Sequence, residues 1–384
     1  MSETSFDEEH LLEEARQATG LDDFGPSEFR AGLRALIATF EGNPLTERGR
    51  RRNRRRLVQL LSTRLRIEAA FRKHPEIRAR EIRNPMVLTG LPRSGTSALF
   101  NLLAADPAAR PLRLWEAQCP DPLDGLPPGA PDPRWQMIED GCAMQRERNP
   151  EFTKIHYSSA DTPEECVLLH SYAFSGVQNG IEIMMEPYAS WFRAQDLGSM
   201  YAYYADLLRM LDWQRPGERW LVKAPAHMWA IDALLASFPD CAIVWSHRDP
   251  LACVASICSM TSTMMRPQVE IEPEVLGPIV MEFYATSLEC GLATRARVDP
   301  ARFIDVTHDA FVDDSLGVVQ RIYEHFELTP GAEAEAAMAA HVAAHPKGQH
   351  GTHTYALDEY GLRPEDVRTR FAPYIEQFQI EVQP

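Results

Sequence analysis

Three cations in this sequence stand where they can act on an anionic ligand. Arg93 lies in Gly-Leu-Pro-Arg-Ser-Gly-Thr-Ser (residues 90–97), Lys223 closes the run Trp-Leu-Val-Lys, and Arg248 follows the apolar run 241–246. A guanidinium forks onto the oxygens of a phosphate-like group, and an ammonium supplies a compact point charge. Held in fixed positions, such groups bind anions and offset charge that develops while an anionic group is transferred. Around Arg93, the residues Ser94, Gly95, Thr96 and Ser97 add hydroxyl and backbone donors.

The flanking residues say how these cations are positioned. Residues 86–89 (Met-Val-Leu-Thr) form a short apolar run between Pro85 and Gly90, and this predicts a buried strand. A helix is predicted from about Gly95, with Ala98, Leu99, Leu102 and Leu103 on its apolar side. Strand, glycine-bounded loop and helix N-terminus together aim backbone N–H groups and the positive end of a helix dipole at one point. The nucleotide P-loop pattern requires Lys and then Ser or Thr after the second Gly. Here Thr96 and Ser97 follow Gly95, so that lysine is missing and the cation sits inside the loop as Arg93. Strands are also predicted at 220–223, 241–246 and 303–306, alternating with helices at 226–238, 250–260 and 315–326. This order predicts an α/β fold, a P-loop-like parallel sheet flanked by helices. Ligands of such sheets gather at the carboxyl ends of the strands, where Thr89, Lys223 and Arg248 fall.

The loop and the strand ends resemble those of sulfotransferases that use 3′-phosphoadenosine 5′-phosphosulfate (PAPS), whose phosphosulfate loop reads Pro-[Arg/Lys]-Ser-Gly-Thr-[Thr/Ser]. That family also places an Arg at a strand end with a Ser eight residues on, as Arg248 and Ser256 stand here. The resemblance covers residues 85–260 well and 300–378 more loosely, and within the family it is closer to the tyrosylprotein and bacterial branches. It implies transfer of a sulfuryl group from PAPS to the hydroxyl or amine of a small-molecule acceptor. It further implies that Arg93 and the loop hold the 5′-phosphosulfate, that Arg248 and Ser256 hold the 3′-phosphate, and that Lys223 stabilises the bridging oxygen. The late segment 345–355 resembles the loop that closes over the nucleotide, with Lys347 and Gly348 as its matching elements. The cytosolic branch has a base histidine two residues after the lysine; that position here is Pro225, with His227 two residues further on. Glu116, in Leu-Trp-Glu, is therefore the expected general base and His227 the reserve, while a structural pairing of Glu116 with Arg110 or Arg113 is the competing role. No metal is expected, because arginine and lysine supply the charge that magnesium brings to ATP enzymes. Two other readings share the loop: a P-loop phosphotransferase using ATP and magnesium, and a non-catalytic nucleotide-binding protein. The missing lysine counts against the first.

The remainder of the chain bounds these readings. Its 384 residues, 45% of them hydrophobic, suffice for one large α/β domain or two smaller ones. A formal net charge of −16 argues against a nucleic-acid partner, whose footprint is basic. There is no apolar start resembling a signal peptide and no apolar run near the roughly 20 residues that span a bilayer. Seven cysteines without a Cys-x-x-Cys pair favour reduced thiols and a cytoplasmic location. Residues 1–84 read as an N-terminal helical cap packed on the core and 85–384 as the α/β domain. Within the cap, residues 48–56 carry seven arginines, either a solvated helix face or a basic rim for an anionic substrate or partner. An extended segment is expected at 112–120, helices at 134–150 and 162–180, and irregular chain at 259–272. The large apolar groups at 181–192 are core by default, with an apolar or aromatic acceptor site as the alternative. His341, His345, His350 and His353 lack an accompanying carboxylate or Cys at ligand spacing.

Overall fold

The computed structural model describes residues 5–127, 130–148, 157–177, 182–345 and 357–382. Lys347 and Gly348 lie outside the described residues, as do His350 and His353.

Three helices open the chain: α1 (Glu8–Thr19), α2 (Phe29–Gly42) and α3 (Glu47–Lys73). Each starts or packs for a local reason. Asp7 caps α1 by accepting from the His10 N–H, Thr46 caps α3 through the Gly49 N–H, and α2 buries Phe29, Leu33, Leu36 and Phe40 on one face. Arg64 pins the three to the body. Its buried guanidinium donates to the carbonyls of Phe24, Tyr172 and Pro26 and lies over the rings of Phe29 and Tyr203. One continuous apolar core contains Leu11, Leu33 and Leu61 of these helices together with Val87 and Val222 of the sheet.

The sheet has five parallel strands in the order β2-β3-β1-β4-β5: β1 (Met86–Gly90), β2 (Ala109–Pro111), β3 (Arg219–Lys223), β4 (Ala242–His247) and β5 (Phe303–Thr307). β1 is central and buried along its whole length, as expected of a strand covered on both faces. Successive strands move outward from β1 on one side and then on the other, which opens a crevice at the carboxyl end of β1. Pairing of Leu88 with Lys223, of Gly90 with Ser246 and of His247 with Thr307 brings the ends of β1, β3, β4 and β5 to one rim. Behind β1 comes α4 (Thr96–Leu103), whose Leu99, Phe100, Leu102 and Leu103 pack into a second apolar cluster with Leu88 and Val244.

Several expected elements differ. The 112–120 segment is not extended: α5 (Leu114–Gln118) forms there, its first turn held by the Arg113 N–H donating to Glu116 Oε2 at 3.2 Å. The expected 162–180 helix shrinks to α6 (Val167–His170) and a 3₁₀ turn at Ser171–Ala173. Tertiary hydrogen bonds hold the chain before α6 out of a helix: Glu164 N–H donates to Leu112 O at 2.8 Å and Cys166 N–H to Lys223 O at 3.0 Å. After β4, α7 (Pro250–Met265) runs five residues beyond the expected end at 260, and α8 (Pro273–Arg295) follows. Edge strand β2 has no sequence signal of its own; it is three residues long, and one is proline. Of the apolar group at 181–192, Met184, Met185, Tyr188 and Phe192 are buried in the main core.

Candidate active site

The loop between β1 and α4 is shaped by glycines where backbone must approach backbone. Gly90 has φ +137°, and a Cβ there would lie 2.3 Å from Ser246 O on the neighbouring strand. Gly95 caps α4 at φ +90° with no side chain accepting from the helix N–H groups, and a Cβ would meet His308 at 3.2 Å. Arg93 also adopts a positive φ of 69°, which lifts its side chain out of the loop into an exposed position. Ser94 is buried and structural: its hydroxyl donates to Leu91 O at 2.6 Å and its carbonyl accepts from Ser246 Oγ at 2.8 Å. The result is a loop held rigidly from below, with the uncapped N–H groups of α4 facing the rim. It can receive the oxygens of an anion.

The strand-end groups converge on this loop. Arg93 Nε donates to Ser256 Oγ on α7 at 3.0 Å, and Arg248 Nη1 donates to the Arg93 carbonyl at 2.8 Å. Arg93 of the β1–α4 loop and Arg248 and Ser256 of the β4–α7 unit thus form one cluster. His308, at the end of β5, lies against Gly95; burial and the nearby Arg248 lower its pKa while Asp309 opposes. Lys223 is 4% exposed, and its ammonium donates to Ser97 Oγ at 3.0 Å and pairs with Glu165 Oε1 at 2.8 Å. The Glu165 side chain is 30% exposed, so this carboxylate borders both the lysine and solvent. Tyr284 of α8 stands near it; burial raises the Tyr284 pKa and the Glu165 charge raises it further.

Glu116 and His227 are placed elsewhere. Both carboxylate oxygens of Glu116 are taken by Arg110, at 2.7 and 2.8 Å, and the side chain is 2% exposed. A carboxylate so engaged has no open face for an acceptor, and the pairing with Arg110 anticipated above as its competing role is the one observed. His227 is 0% exposed and its Nδ1 hydrogen-bonds the Tyr201 hydroxyl at 2.9 Å. Burial pushes its pKa down to about 3, so it sits neutral in the core. Glu165 and His308 were missed by sequence reasoning. The His308-Asp309 pair at a strand end offered a faint signal for one; nothing local marked the other. Among the described residues no cluster of three metal-ligating side chains occurs.

A rigid loop with open helix N–H groups, an Arg–Ser–Arg cluster beside it and a lysine–carboxylate pair next to it lie together at one edge of the α/β core. A model of the sulfotransferase family matches residues 85–332. The chain belongs to the sulfotransferase family. It is similar to the solved sulfotransferase STF1 from Mycobacterium tuberculosis H37Rv, with 32% identity and a TM-score of 0.85, covering 97% of this chain and 100% of that one. Sulfotransferase STF9 from Mycobacterium avium is similarly related, with 29% identity, a TM-score of 0.88, and coverage of 99% and 98%. A search of curated proteins returns no match. The α/β fold with its parallel sheet is that of these sulfotransferases. No helix among the described residues is long and apolar enough to cross a membrane.

Proposed function

We propose that this chain transfers the sulfuryl group of PAPS to the hydroxyl or amine of a small-molecule acceptor, with Glu165 as general base. One observation carries the reading: Lys223 touches Ser97 of the anion loop and Glu165 at once. The transfer cation therefore stands between the place for the donor's sulfonated phosphate and a carboxylate open to an acceptor. The loop N–H groups, Arg93, Gly95, Thr96 and Ser97 hold the 5′-phosphosulfate, with buried Ser94 bracing the loop. Arg248 and Ser256 hold the 3′-phosphate, and His308 borders the same group; Lys347 and Gly348 are proposed to close over it.

In this reading the acceptor oxygen attacks sulfur in line with the bridging oxygen. Its proton passes to Glu165 as the new O–S bond forms and the bridging O–S bond breaks. Protonation removes the Glu165 charge, so the Lys223 ammonium turns to the oxygen on which negative charge collects. Half-buried Tyr284 beside Glu165 supports an aromatic or apolar acceptor. Glu116 then serves the fold by holding Arg110 and the start of α5.

Calorimetry tests the donor. 3′-Phosphoadenosine 5′-phosphate is expected to bind tightly without magnesium and in clear preference to ADP. Arg248→Ala should weaken it by roughly 1.5–3 kcal/mol, the scale of a hydrogen bond to a charged group, and leave ADP nearly unchanged. A preference for ADP with magnesium would favour the phosphotransferase reading instead. For the base, Glu165→Gln is expected to lower turnover about a hundredfold with nucleotide affinity retained. Glu116→Gln should instead lower the melting temperature, because it breaks a buried bidentate pair. Undiminished turnover in Glu165→Gln removes Glu165 from the mechanism.

A further inference from the structure

Arg248 stands between two anchored residues. After it, Asp249 caps α7 by accepting from the Leu251 N–H at 2.9 Å. Before it, His247 ends β4 and is 1% exposed, with both ring nitrogens engaged. Nε2 bonds Asp305 Oδ1 of β5 at 2.8 Å, and Nδ1 bonds the Tyr374 hydroxyl at 3.1 Å. Tyr374 lies on the helix α9 (Pro364–Phe378), which Arg370 ties to α8 through Glu282 and Glu289. The imidazole is stacked on Phe378 of the same helix, with ring centroids 4.0 Å apart.

One carboxylate fixes the protons of this network. Asp305 accepts from both Nη groups of Arg295, at 2.6 and 2.7 Å. Burial raises its pKa, but the bonds to His247 and Arg295 more than offset this and hold it down to about 2. An ionised carboxylate only accepts, so His247 presents Nε2–H to it. Burial lowers the His247 pKa more than Asp305 raises it, so the ring is neutral and Nδ1 is left as an acceptor. The Tyr374 O–H therefore donates to Nδ1. The backbone N–H of Arg248 acts on the same hydroxyl oxygen: burial and the Cys253 charge raise the Tyr374 pKa, and this N–H lowers it. Phenylalanine at 374 would fill the space equally well, as Phe378 does one turn on. What the hydroxyl adds is a directed tie to the strand end that carries Arg248.

We propose that Tyr374 and His247 are positioning residues for the 3′-phosphate: braced on Asp305, they fix the chain at Arg248 so that its guanidinium stands preorganised beside Arg93 and Ser256. The inference rests on the reading that Arg248 holds that phosphate. Arg248 Nη1 donates to the Arg93 carbonyl at 2.8 Å, so its placement is also felt in the anion loop. Without the tie, Arg248 must be ordered when the nucleotide binds, and that cost falls on the 3′-phosphate.

The test measures 3′-phosphoadenosine 5′-phosphate and ADP by calorimetry on the full chain, with the ratio of their dissociation constants as readout. Tyr374→Phe is expected to lower the preference for the first about three- to tenfold, the worth of one neutral hydrogen bond, with ADP affinity unchanged. In turnover, KM for PAPS should rise while kcat is retained. Tyr323→Phe is the control. It removes a similarly buried hydroxyl, one that donates to Asp106 at 2.8 Å in the other apolar cluster, and should lower the melting temperature without moving the ratio. His247→Gln keeps a donor for Asp305 and removes the acceptor for Tyr374. Combined with Tyr374→Phe it should lose no more than the larger single loss, because both act through one bond. An unchanged ratio in Tyr374→Phe, an equal fall in Tyr323→Phe, or additive losses in the double variant overturns the proposal. Arg248→Ala in the same assay separates the two claims. If it leaves the ratio unchanged, the 3′-phosphate reading fails and the positioning role with it; if it abolishes the preference while Tyr374→Phe does not lower it, only the positioning role fails.

Discussion

Replacing Lys223 with Met is expected to slow sulfuryl transfer by about a hundred- to a thousandfold, the usual effect of removing one preorganised charge from developing anionic charge. The size follows from where the ammonium stands. It is 4% exposed, so water screens it little, and its hydrogen bonds to Ser97 and Glu165 aim it at the mouth of the loop. The effect should fall on turnover more than on nucleotide affinity, because the bridging oxygen gains its charge only as the bond breaks. Release of 3′-phosphoadenosine 5′-phosphate from the donor, with 2-naphthol as acceptor, provides the measurement. Lys223→Met combined with Glu165→Gln should lose less than the sum of the single losses, since the two side chains touch and act together. A Lys223→Met enzyme within about threefold of wild type would remove the lysine from the transition state, given the scale of such effects.

The second large effect is on stability in mild acid. His170 and His227 are 1% and 0% exposed, with ring centroids 5.7 Å apart. Burial lowers the pKa of both, and the charge of His227 would lower that of His170 further; for His227 the value reaches about 3. Neither ring nitrogen of His170, nor Nε2 of His227, has a hydrogen-bond partner among the described residues, so nothing there would compensate an added charge. The unfolded chain titrates these histidines near 6.5. Below that pH the unfolded state binds protons that the folded state refuses, so stability is present above about 6.5 and falls as the pH drops toward the folded values. Well below pH 6.5 a histidine kept neutral by the fold costs about 1.4 kcal/mol per pH unit, so His227 alone removes roughly 2 kcal/mol by pH 5, and His170 adds a loss of the same sign. That is an appreciable part of a typical stability of about 5–15 kcal/mol. Asp305, held down to about 2 by its bonds to His247 and Arg295 against its burial, adds nothing in this window and matters only below about pH 4. Denaturant melts from pH 8 to 5 should show the decline, and a flat profile would contradict it.

Much of the site was legible along the chain because it is local. Gly90, Arg93, Gly95, Thr96 and Ser97 are contiguous, and a strand, a turn that needs positive φ and a helix start leave their backbone little choice. Lys223, Arg248 and Ser256 were equally visible, because a parallel sheet delivers its strand ends to one edge whatever the loops do. The acid proposed as general base was not. Glu165 reaches Lys223 only because Cys166 N–H bonds the Lys223 carbonyl, a contact that also prevents the helix local preference would form at 162–166. Glu116 looked equally suitable in sequence; its partner Arg110, six residues earlier, is brought onto it by the turn from β2 into α5.

By itself, then, the sequence determined the anion loop, the cations at the strand ends and the parallel order that collects them, since each depends on residues adjacent in the chain or on sheet periodicity. Only the tertiary structure decided which acid faces the lysine, which histidines are sealed from water and which side chains brace the strand end at Arg248. Those outcomes depend on contacts between distant segments, where burial sets the strength of every charge and no local pattern records the partner.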